Sequence, residues 1–157
     1  MSKQRKATKY LIIHCSATRA KANIGAKEID VWHRRDNGWR KIGYHFVTRR
    51  NGVLETGRGM NEVGAHAVGP TPEGEVESKN WWNENSIGFC WVGGLNDDTF
   101  AAEDNRTPEQ VAQQIATIKF LKGMYPDIKI LGHRDIPGVN KACPCFDVAA
   151  FLKEHGL

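Results

Sequence analysis

Three side chains that could bind a metal ion stand where predicted strands end. His14 follows the apolar run "YLII", His133 follows "IKILG", and Cys143 comes ten residues later in "KACPC". Two imidazoles and one thiolate are ligands that suit Zn²⁺, and a site with three protein ligands keeps its fourth position for water, as catalytic zinc sites do. A zinc ion placed here would lower the pKa of water and polarise a carbonyl group, which is chemistry suited to hydrolysis.

The residues themselves leave other interpretations open. His14 and His133 are 119 residues apart, so no local motif connects them, and each could be a strand-end histidine bonded to the backbone. Cys143 could equally be a small buried apolar side chain. The signatures of zinc deaminases and of HExxH metalloproteases are absent. A cysteine–histidine hydrolase, with Cys15, Cys143 or Cys145 as nucleophile, is the strongest chemical rival to a zinc site.

Strands and helices that would position these residues alternate along the chain. Apolar runs predict strands over 9–17, 86–94 and 128–133, and a hairpin over 44–57 with a two-residue turn at Asn51-Gly52. Helical periodicity and capping residues predict helices over 26–38, 107–126 and 146–157. This order predicts an α/β (mixed α+β) fold. Its central mixed sheet contains one antiparallel hairpin, about three helices flank it, and the metal site lies in an open cleft at the strand ends.

Length and charge limit the number of domains and the kinds of partner that the chain can have. A chain of 157 residues predicts one domain, which we place at 9–157 behind a basic N-terminal tail at 1–8. No apolar run approaches the ~20 residues of a membrane span, and no signal peptide is recognisable, so we expect synthesis in a cytoplasm and no membrane insertion. Residues 1–50 hold 13 Lys and Arg against 3 Asp and Glu, whereas residues 51–157 hold 9 against 15. The basic half predicts an anionic partner or a solvated basic face.

Eight short motifs in a fixed order resemble those of a known enzyme family. They are "HCSAT" (14–18), "VWHRRDNGW" (31–39), "GYHFV" (43–47), "GVLETGR" (52–58), "VGAHA" (63–67), "NSIGFCWVGG" (85–94), "GHRDI" (132–136) and "KACPCFD" (141–147). The set, which spans about residues 9–155, resembles the zinc-dependent N-acetylmuramoyl-L-alanine amidases. These type 2 amidases are related to peptidoglycan recognition proteins, and the resemblance is strongest to the small single-domain phage lysozyme-type amidases.

The resemblance implies a role for each matching residue of the predicted metal site. It makes His14, His133 and Cys143 the ligands of one Zn²⁺ ion. It places Tyr44 beside the attacking water and Lys141 where it stabilises the developing oxyanion.

His66 matches a cleft histidine in the family's substrate groove, and we also predict that His45 and Trp82 contact the substrate. The segment 68–84 is longer than the family pattern, and its Trp81-Trp82 pair is either a hydrophobic plug or a wall that stacks on substrate. We expect Cys145 to be a spectator that shares the face of Cys143 by alternation.

The implied function is hydrolysis of the amide bond between N-acetylmuramic acid and L-alanine in peptidoglycan, by a phage endolysin that lyses its host. We expect a monomer that is made in the host cytoplasm and acts in the periplasm after a separate protein permeabilises the membrane. An alternative is an additional or sole binding role, either inhibition of the phage RNA polymerase or recognition of peptidoglycan without cleavage. Direct binding of nucleic acid is not expected.

Overall fold

A five-stranded, mostly parallel sheet forms the centre of the protein in a computed structural model that describes residues 3–77 and 79–157. Its strands are β1 (Tyr10–Cys15), β3 (Phe46–Thr48), β4 (Leu54–Thr56), β5 (Ser86–Trp91) and β7 (Lys129–Gly132), in the spatial order β4-β3-β5-β1-β7. The short strands β2 (Thr18–Arg19) and β6 (Gly94–Leu95) pair separately. The mixed sheet with one antiparallel pair confirms the predicted fold class.

Strand β1 lies between β5 and β7 and is parallel to both of these neighbours. Ile13 is level with Gly132 of β7, and His14 is level with Cys90 of β5. The carboxyl ends of β1 and β7 therefore meet at one edge, so that His14, near the end of β1, and His133, directly after β7, emerge side by side.

Within residues 3–77 and 79–157, four α-helices accompany the sheet. They are α1 (Ala26–Asn37), α2 (Trp81–Asn85), α3 (Pro108–Met124) and α4 (Val148–Glu154). The three longer helices confirm the predictions, with Gly38 ending α1 at φ 67° and Thr107 accepting a hydrogen bond from the N–H of Gln110 at the start of α3. Helix α2 was not predicted, because its five residues are too few to show helical periodicity.

The two faces of β1 pack against different layers. Leu11, Ile13 and Cys15 belong to the cluster that includes Ile118 and Leu121 of α3. Ile12 points to the opposite face and packs with Trp82 and Ile136. Side chains alternate along a strand, so His14 shares the face of Ile12 and lies under the second layer. Full burial of each Leu or Ile contributes about 1.5–3 kcal/mol, which fixes β1 in its register.

The hairpin between β3 and β4 differs from the predicted two-residue turn. The N–H of Arg49 donates to the carbonyl of Val53 at 2.9 Å, and the N–H of Gly52 donates to the carbonyl of Arg49 at 2.9 Å. The loop thus has three residues, with Gly52 at φ 85°, a conformation that glycine adopts readily. The Asn-Gly pair correctly marked the turn but not its length.

Residues 3–8 of the predicted basic tail lie against the body of the protein, while residues 1 and 2 fall outside the described residues. Arg5 donates to the carbonyls of Met60 at 2.6 Å and Glu62 at 3.2 Å. Lys3 and Lys6 both pair with Glu84, at 2.8 and 2.9 Å. None of the described helices is long and apolar enough to cross a membrane.

Candidate active site

The three predicted metal ligands come together at the carboxyl edge of the sheet. One donor atom from each of His14, His133 and Cys143 lies within 4.8 Å of the others. His14 is the fifth residue of β1 and is 1% exposed. His133 begins a short 3₁₀ helix directly after β7, where the N–H of Gly132 donates to the Asp135 carboxylate at 2.7 Å. Among residues 3–77 and 79–157, no other group of three or more His, Cys, Asp and Glu side chains is this close.

Backbone contacts fix the turn that carries Cys143. The N–H of Arg134 donates to the Cys143 carbonyl at 2.9 Å, and the indole N–H of Trp91 donates to the Pro144 carbonyl at 3.1 Å. The N–H of Cys15 donates to the Cys143 sulfur at 3.2 Å. These bonds tie the turn to the ends of β1, β5 and β7, so the thiolate is presented to the same space as the two imidazoles.

The electrostatics of the site keep its imidazoles neutral. Burial lowers the pKa of His14 and His66 well below 6.5, with a further contribution from neighbouring cationic groups. Burial and the positive charge of Lys141 lower the pKa of His133 to about 4. Metal ligation needs unprotonated ring nitrogens. Two neutral imidazoles and a thiol at this spacing therefore fit a zinc ion.

A cleft of about 350 Å³ opens beside the three donors, and His133 is the one of the three that lines it. Tyr44, His66, His133 and Lys141, all predicted to be functional, line it. A cavity of about 420 Å³ lies at the other end of β1 and β7 and is lined by residues 8–10 and 124–129. That larger cavity contains no histidine or cysteine side chain among its lining residues, so we assign the chemistry to the smaller cleft.

Tyr44 and Lys141 both line the cleft beside the histidine pair. The Tyr44 ring centroid is 5.0 Å from that of His14, and the His14 centroid is 4.5 Å from that of His133. Burial of the phenol raises the pKa of Tyr44 well above 10, so the hydroxyl keeps its proton at neutral pH and acts as a hydrogen-bond donor. Lys141 is exposed at the rim of the cleft.

Two cleft residues, His33 and Trp39, were missed by reasoning from the sequence. The N–H of Gly43 donates to Nδ1 of His33 at 2.9 Å, so Nε2 carries the proton and is left as a donor. The Trp39 ring packs edge-on against His33 with centroids 4.8 Å apart. Both belong to the motif "VWHRRDNGW", which was the available signal, but no chemical role had been attached to them.

The structure places His45 and Trp82 in the interior. His45 is fully buried, accepts from the N–H of Gly88 at Nδ1 (3.0 Å) and donates from Nε2 to the Glu62 carbonyl (2.8 Å). Trp82 is 2% exposed and donates to the Pro70 carbonyl at 2.7 Å. Substrate contact requires an accessible side chain, so we leave both out of the proposed substrate contacts.

The Trp81-Trp82 pair anchors the long segment to the sheet. Tyr10 of β1 packs against both indoles, with centroids 6.1 and 4.9 Å away, and Lys9 lies over the Trp81 ring. The plug interpretation of the pair therefore fits the contacts. Residue 78 of the predicted 68–84 loop lies outside the described residues.

Cys145 does not share the face of Cys143. Residues 141–145 form turns rather than a strand, so alternation does not apply. The Cys145 sulfur lies 3.7 Å from that of Cys15, and burial raises the pKa of Cys145 to about 12. Among residues 3–77 and 79–157, no hydrogen bond joins a cysteine thiol to a histidine ring. The described contacts therefore do not include the nucleophile–base hydrogen bond that a cysteine–histidine hydrolase would use.

Comparisons with known proteins agree with this geometry. The sequence profile of a family described as N-acetylmuramoyl-L-alanine amidase matches residues 4–146. The endolysin of Enterobacteria phage K11 is 37% identical over 98% of this chain and 91% of its own length, and that of Escherichia phage T7 is 36% identical over 99% and 92%. The N-acetylmuramoyl-L-alanine amidase LysC from Clostridium intestinale, a solved structure, is 25% identical. It superposes with a TM-score of 0.72 over 96% of this chain and 86% of its own.

Proposed function

The chain belongs to the N-acetylmuramoyl-L-alanine amidase family, and we propose that His14, His133 and Cys143 hold the zinc ion with which it cleaves peptidoglycan. It is a peptidoglycan amidase of the kind that acts in host lysis. The bond cleaved is the amide between N-acetylmuramic acid and L-alanine. The observation that carries the metal assignment is the approach of three donor atoms to within 4.8 Å of one another at the carboxyl edge of the sheet.

The residues around the donors supply the remaining chemistry. Zinc at this site would lower the pKa of water and polarise the scissile carbonyl. The Tyr44 hydroxyl, which keeps its proton at neutral pH, donates a hydrogen bond that orients the attacking water or the tetrahedral intermediate. The Lys141 ammonium lies at the rim, where its charge stabilises the oxyanion that develops on the carbonyl oxygen.

We assign substrate binding to the part of the cleft wall that His33 and Trp39 form. The His33 imidazole, held by Gly43, presents an N–H donor, and the Trp39 ring beside it offers an apolar face of the kind on which sugar rings stack. We assign these two residues the contact role that the sequence had suggested for His45 and Trp82.

The test is mass spectrometry of the soluble products released from purified Gram-negative sacculi. The protein is assayed as prepared, after chelation, and after chelation followed by zinc. Stem peptides with a free L-alanine N-terminus, lost on chelation and restored by zinc, are the expected result. Intact muropeptides under all conditions would overturn the cleavage proposal, and cleavage that survives chelation would overturn the zinc assignment.

We also propose that the protein is made in the host cytoplasm as a monomer and reaches the wall only after a separate protein opens the inner membrane. Expression in a Gram-negative host should leave the culture turbid. Co-expression of a pore-forming membrane protein should then cause rapid clearing. Clearing without the pore protein would contradict the proposal.

A second role, binding to the phage RNA polymerase, rests on the charge surplus of residues 1–50. Several of these cations are well exposed, including Lys3, Lys6, Arg34 and Arg35, whose side chains are 54–67% accessible. A pull-down with the cognate polymerase at low and high salt tests this role. Recovery at low salt that falls with added salt is expected, and no recovery at low salt would contradict it.

A further inference from the structure

A chain of three hydrogen bonds leads from the backbone of α2 to the buried histidine of the metal site. The Ser86 hydroxyl donates to the Trp82 carbonyl at 2.6 Å. Nε2 of His66 lies 3.4 Å from the same hydroxyl oxygen, and Nδ1 of His66 lies 2.9 Å from Nε2 of His14. Ser86 is fully buried, and His14 and His66 are 1% and 9% exposed, so bulk water does not compete for these bonds.

The direction of each hydrogen bond follows from which of its two atoms can donate a proton and which can only accept one. A carbonyl only accepts, so the single hydroxyl proton of Ser86 is committed to Trp82 at the shortest distance in the chain. The Ser86 oxygen is then an acceptor, and the proton of a neutral His66 lies on Nε2. Nδ1 of His66 is left as an acceptor, and it receives the proton of His14 from Nε2. Nδ1 of His14 is thereby left with its lone pair.

We propose that Ser86 and His66 are positioning residues that hold His14 in the Nε2–H tautomer and so leave Nδ1 as its metal donor. This inference rests on the proposed zinc site but concerns the preparation of the site before metal binds. His66 is then a support for a ligand rather than the substrate contact that the sequence suggested. Outer hydrogen bonds of this kind fix the tautomer and ring orientation of metal-bound histidines.

The packing around His66 supports a fixed ring position. A Cβ atom on Gly88 would lie 2.6–2.8 Å from three atoms of the ring, and one on Gly64 would lie 2.5 Å from its Cδ2. Only glycine at these two positions leaves room for the imidazole. Asn83 of α2 holds the backbone on either side, since its side-chain oxygen accepts from the N–H groups of His66 and Ala67 at 2.8 and 3.0 Å.

The first test reads the tautomer directly in zinc-free protein. Two-bond ¹H–¹⁵N correlation spectra distinguish a protonated ring nitrogen from an unprotonated one, and the His14 signals are assigned by their loss in a His14→Gln variant. We expect His14 to be protonated at Nε2 in the wild-type protein and to lose this single form in Ser86→Ala. A wild-type His14 protonated at Nδ1 would overturn the proposal, whether or not the protein is an active amidase.

The second test measures zinc affinity by competition with a chromogenic chelator, without substrate. Removal of a supporting bond typically lowers metal affinity 10–100-fold, and we expect this loss in His66→Ala. His66→Asn should recover most of it, because the amide oxygen can take the place of Nδ1 as acceptor. Ser16→Ala removes a hydroxyl two residues from His14 but outside this chain of bonds, and it should leave zinc affinity unchanged.

The two tests separate the positioning proposal from the zinc proposal. Unchanged zinc affinity in His66→Ala would overturn the positioning role while leaving the amidase assignment intact. A wild-type protein that binds no zinc would instead remove the metal assignment, and the tautomer of His14 would still decide the hydrogen-bond direction. A loss in His66→Ala that His66→Asn does not recover would also count against the proposal, since a gap in the packing would then explain it.

Discussion

His14 and His45 are both buried histidines beside β5, yet they have opposite hydrogen-bonding surroundings. His14 lies level with Cys90, and one of its ring nitrogens meets His66. The described residues offer no hydrogen bond to its other nitrogen, and His14 is one of the three residues of the proposed metal site. His45 lies beside Gly88, and backbone groups occupy both of its ring nitrogens. The same residue type is thus an available ligand at one position and a structural link at the other.

The difference shows that burial alone does not identify a functional histidine. A buried polar group is normally satisfied by the protein, and His45 follows that rule. His14 departs from it on one side, in a cleft where two other donors point to the same space. His14 therefore differs from His45 in its incomplete set of internal hydrogen bonds, and not in its burial or in its sequence motif.

The largest expected effect follows replacement of the ligand histidine. His14→Ala should abolish bound zinc and lower amidase activity on the order of 10³-fold or more, since zinc contributes several kcal/mol to such reactions. Zinc content by atomic absorption and peptide release from sacculi provide the measurement. Cys143→Ser should behave in the same way.

His45→Gln is the matched control, because glutamine can both donate and accept where His45 does. It should keep its zinc and most of its activity, while the free energy of unfolding falls by about 1–3 kcal/mol through weaker buried hydrogen bonds. Loss of zinc from His45→Gln would erase the distinction between the two histidines.

The next largest effect concerns residues that act on the substrate without holding the metal. Lys141→Met and Tyr44→Phe should each lower kcat by about 10²-fold, the usual loss for one oxyanion or hydrogen-bond donor. Both variants should retain a full complement of zinc and a normal unfolding midpoint. Either variant with full activity would remove that residue from the proposed mechanism.

Acid should lower the stability of the folded protein, because His45 is buried and both of its ring nitrogens are hydrogen-bonded. Burial, with Arg5 and Arg58 nearby, lowers the pKa of His45 to about 4, against about 6.5 in the unfolded chain. Above pH 6.5 neither state binds the proton. Between pH 6.5 and 4 only the unfolded state binds it, so stability falls as the pH drops, by up to about 3 kcal/mol from this residue.

The measurement is urea unfolding of the zinc-free protein between pH 7.5 and 4.5. The buried site histidines contribute to the same acid sensitivity, but they do so equally in His45→Gln. The variant should therefore show a smaller loss of stability on acidification than the wild type. Identical pH dependence in the two proteins would contradict the assignment.

The smallest effect is expected for a thiol near the site that is not a ligand. Cys145 faces Cys15 rather than the donor trio, so Cys145→Ser should keep zinc and activity within about twofold and change stability by less than about 1 kcal/mol. A large loss of zinc in this variant would show that a second sulfur shares the site.

The sequence predicted the parts of the site that depend on local pattern. Apolar runs located β1 and β7, and parallel pairing then brought their last residues together, which is why His14 and His133 were found. Cys143 lies in a turn, where its side-chain type suggested a third ligand and the family resemblance supported its place beside the two histidines.

What the sequence could not supply depends on contacts between distant segments. The ring nitrogens of His45 are occupied by the carbonyl of Glu62 and the N–H of Gly88. Neither contact can be predicted from the motif "GYHFV". His33 sits on an amphipathic helix, where nothing local indicates that its ring faces a cleft. Alternation misplaced Cys145 because residues 141–145 turn instead of extending.

The three donors also have a consequence for durability, because they come from opposite ends of the chain. Any ion that joins His14 to Cys143 closes a loop of almost the entire polypeptide, and cross-links over long loops restrict the unfolded chain most. At a zinc concentration 100 times its Kd, ligation adds about 2.7 kcal/mol to the folded state. Proteases are present in a lysing cell. Loss of zinc there would make the protein easier to digest, because its folded state would be less stable, and would also abolish its activity.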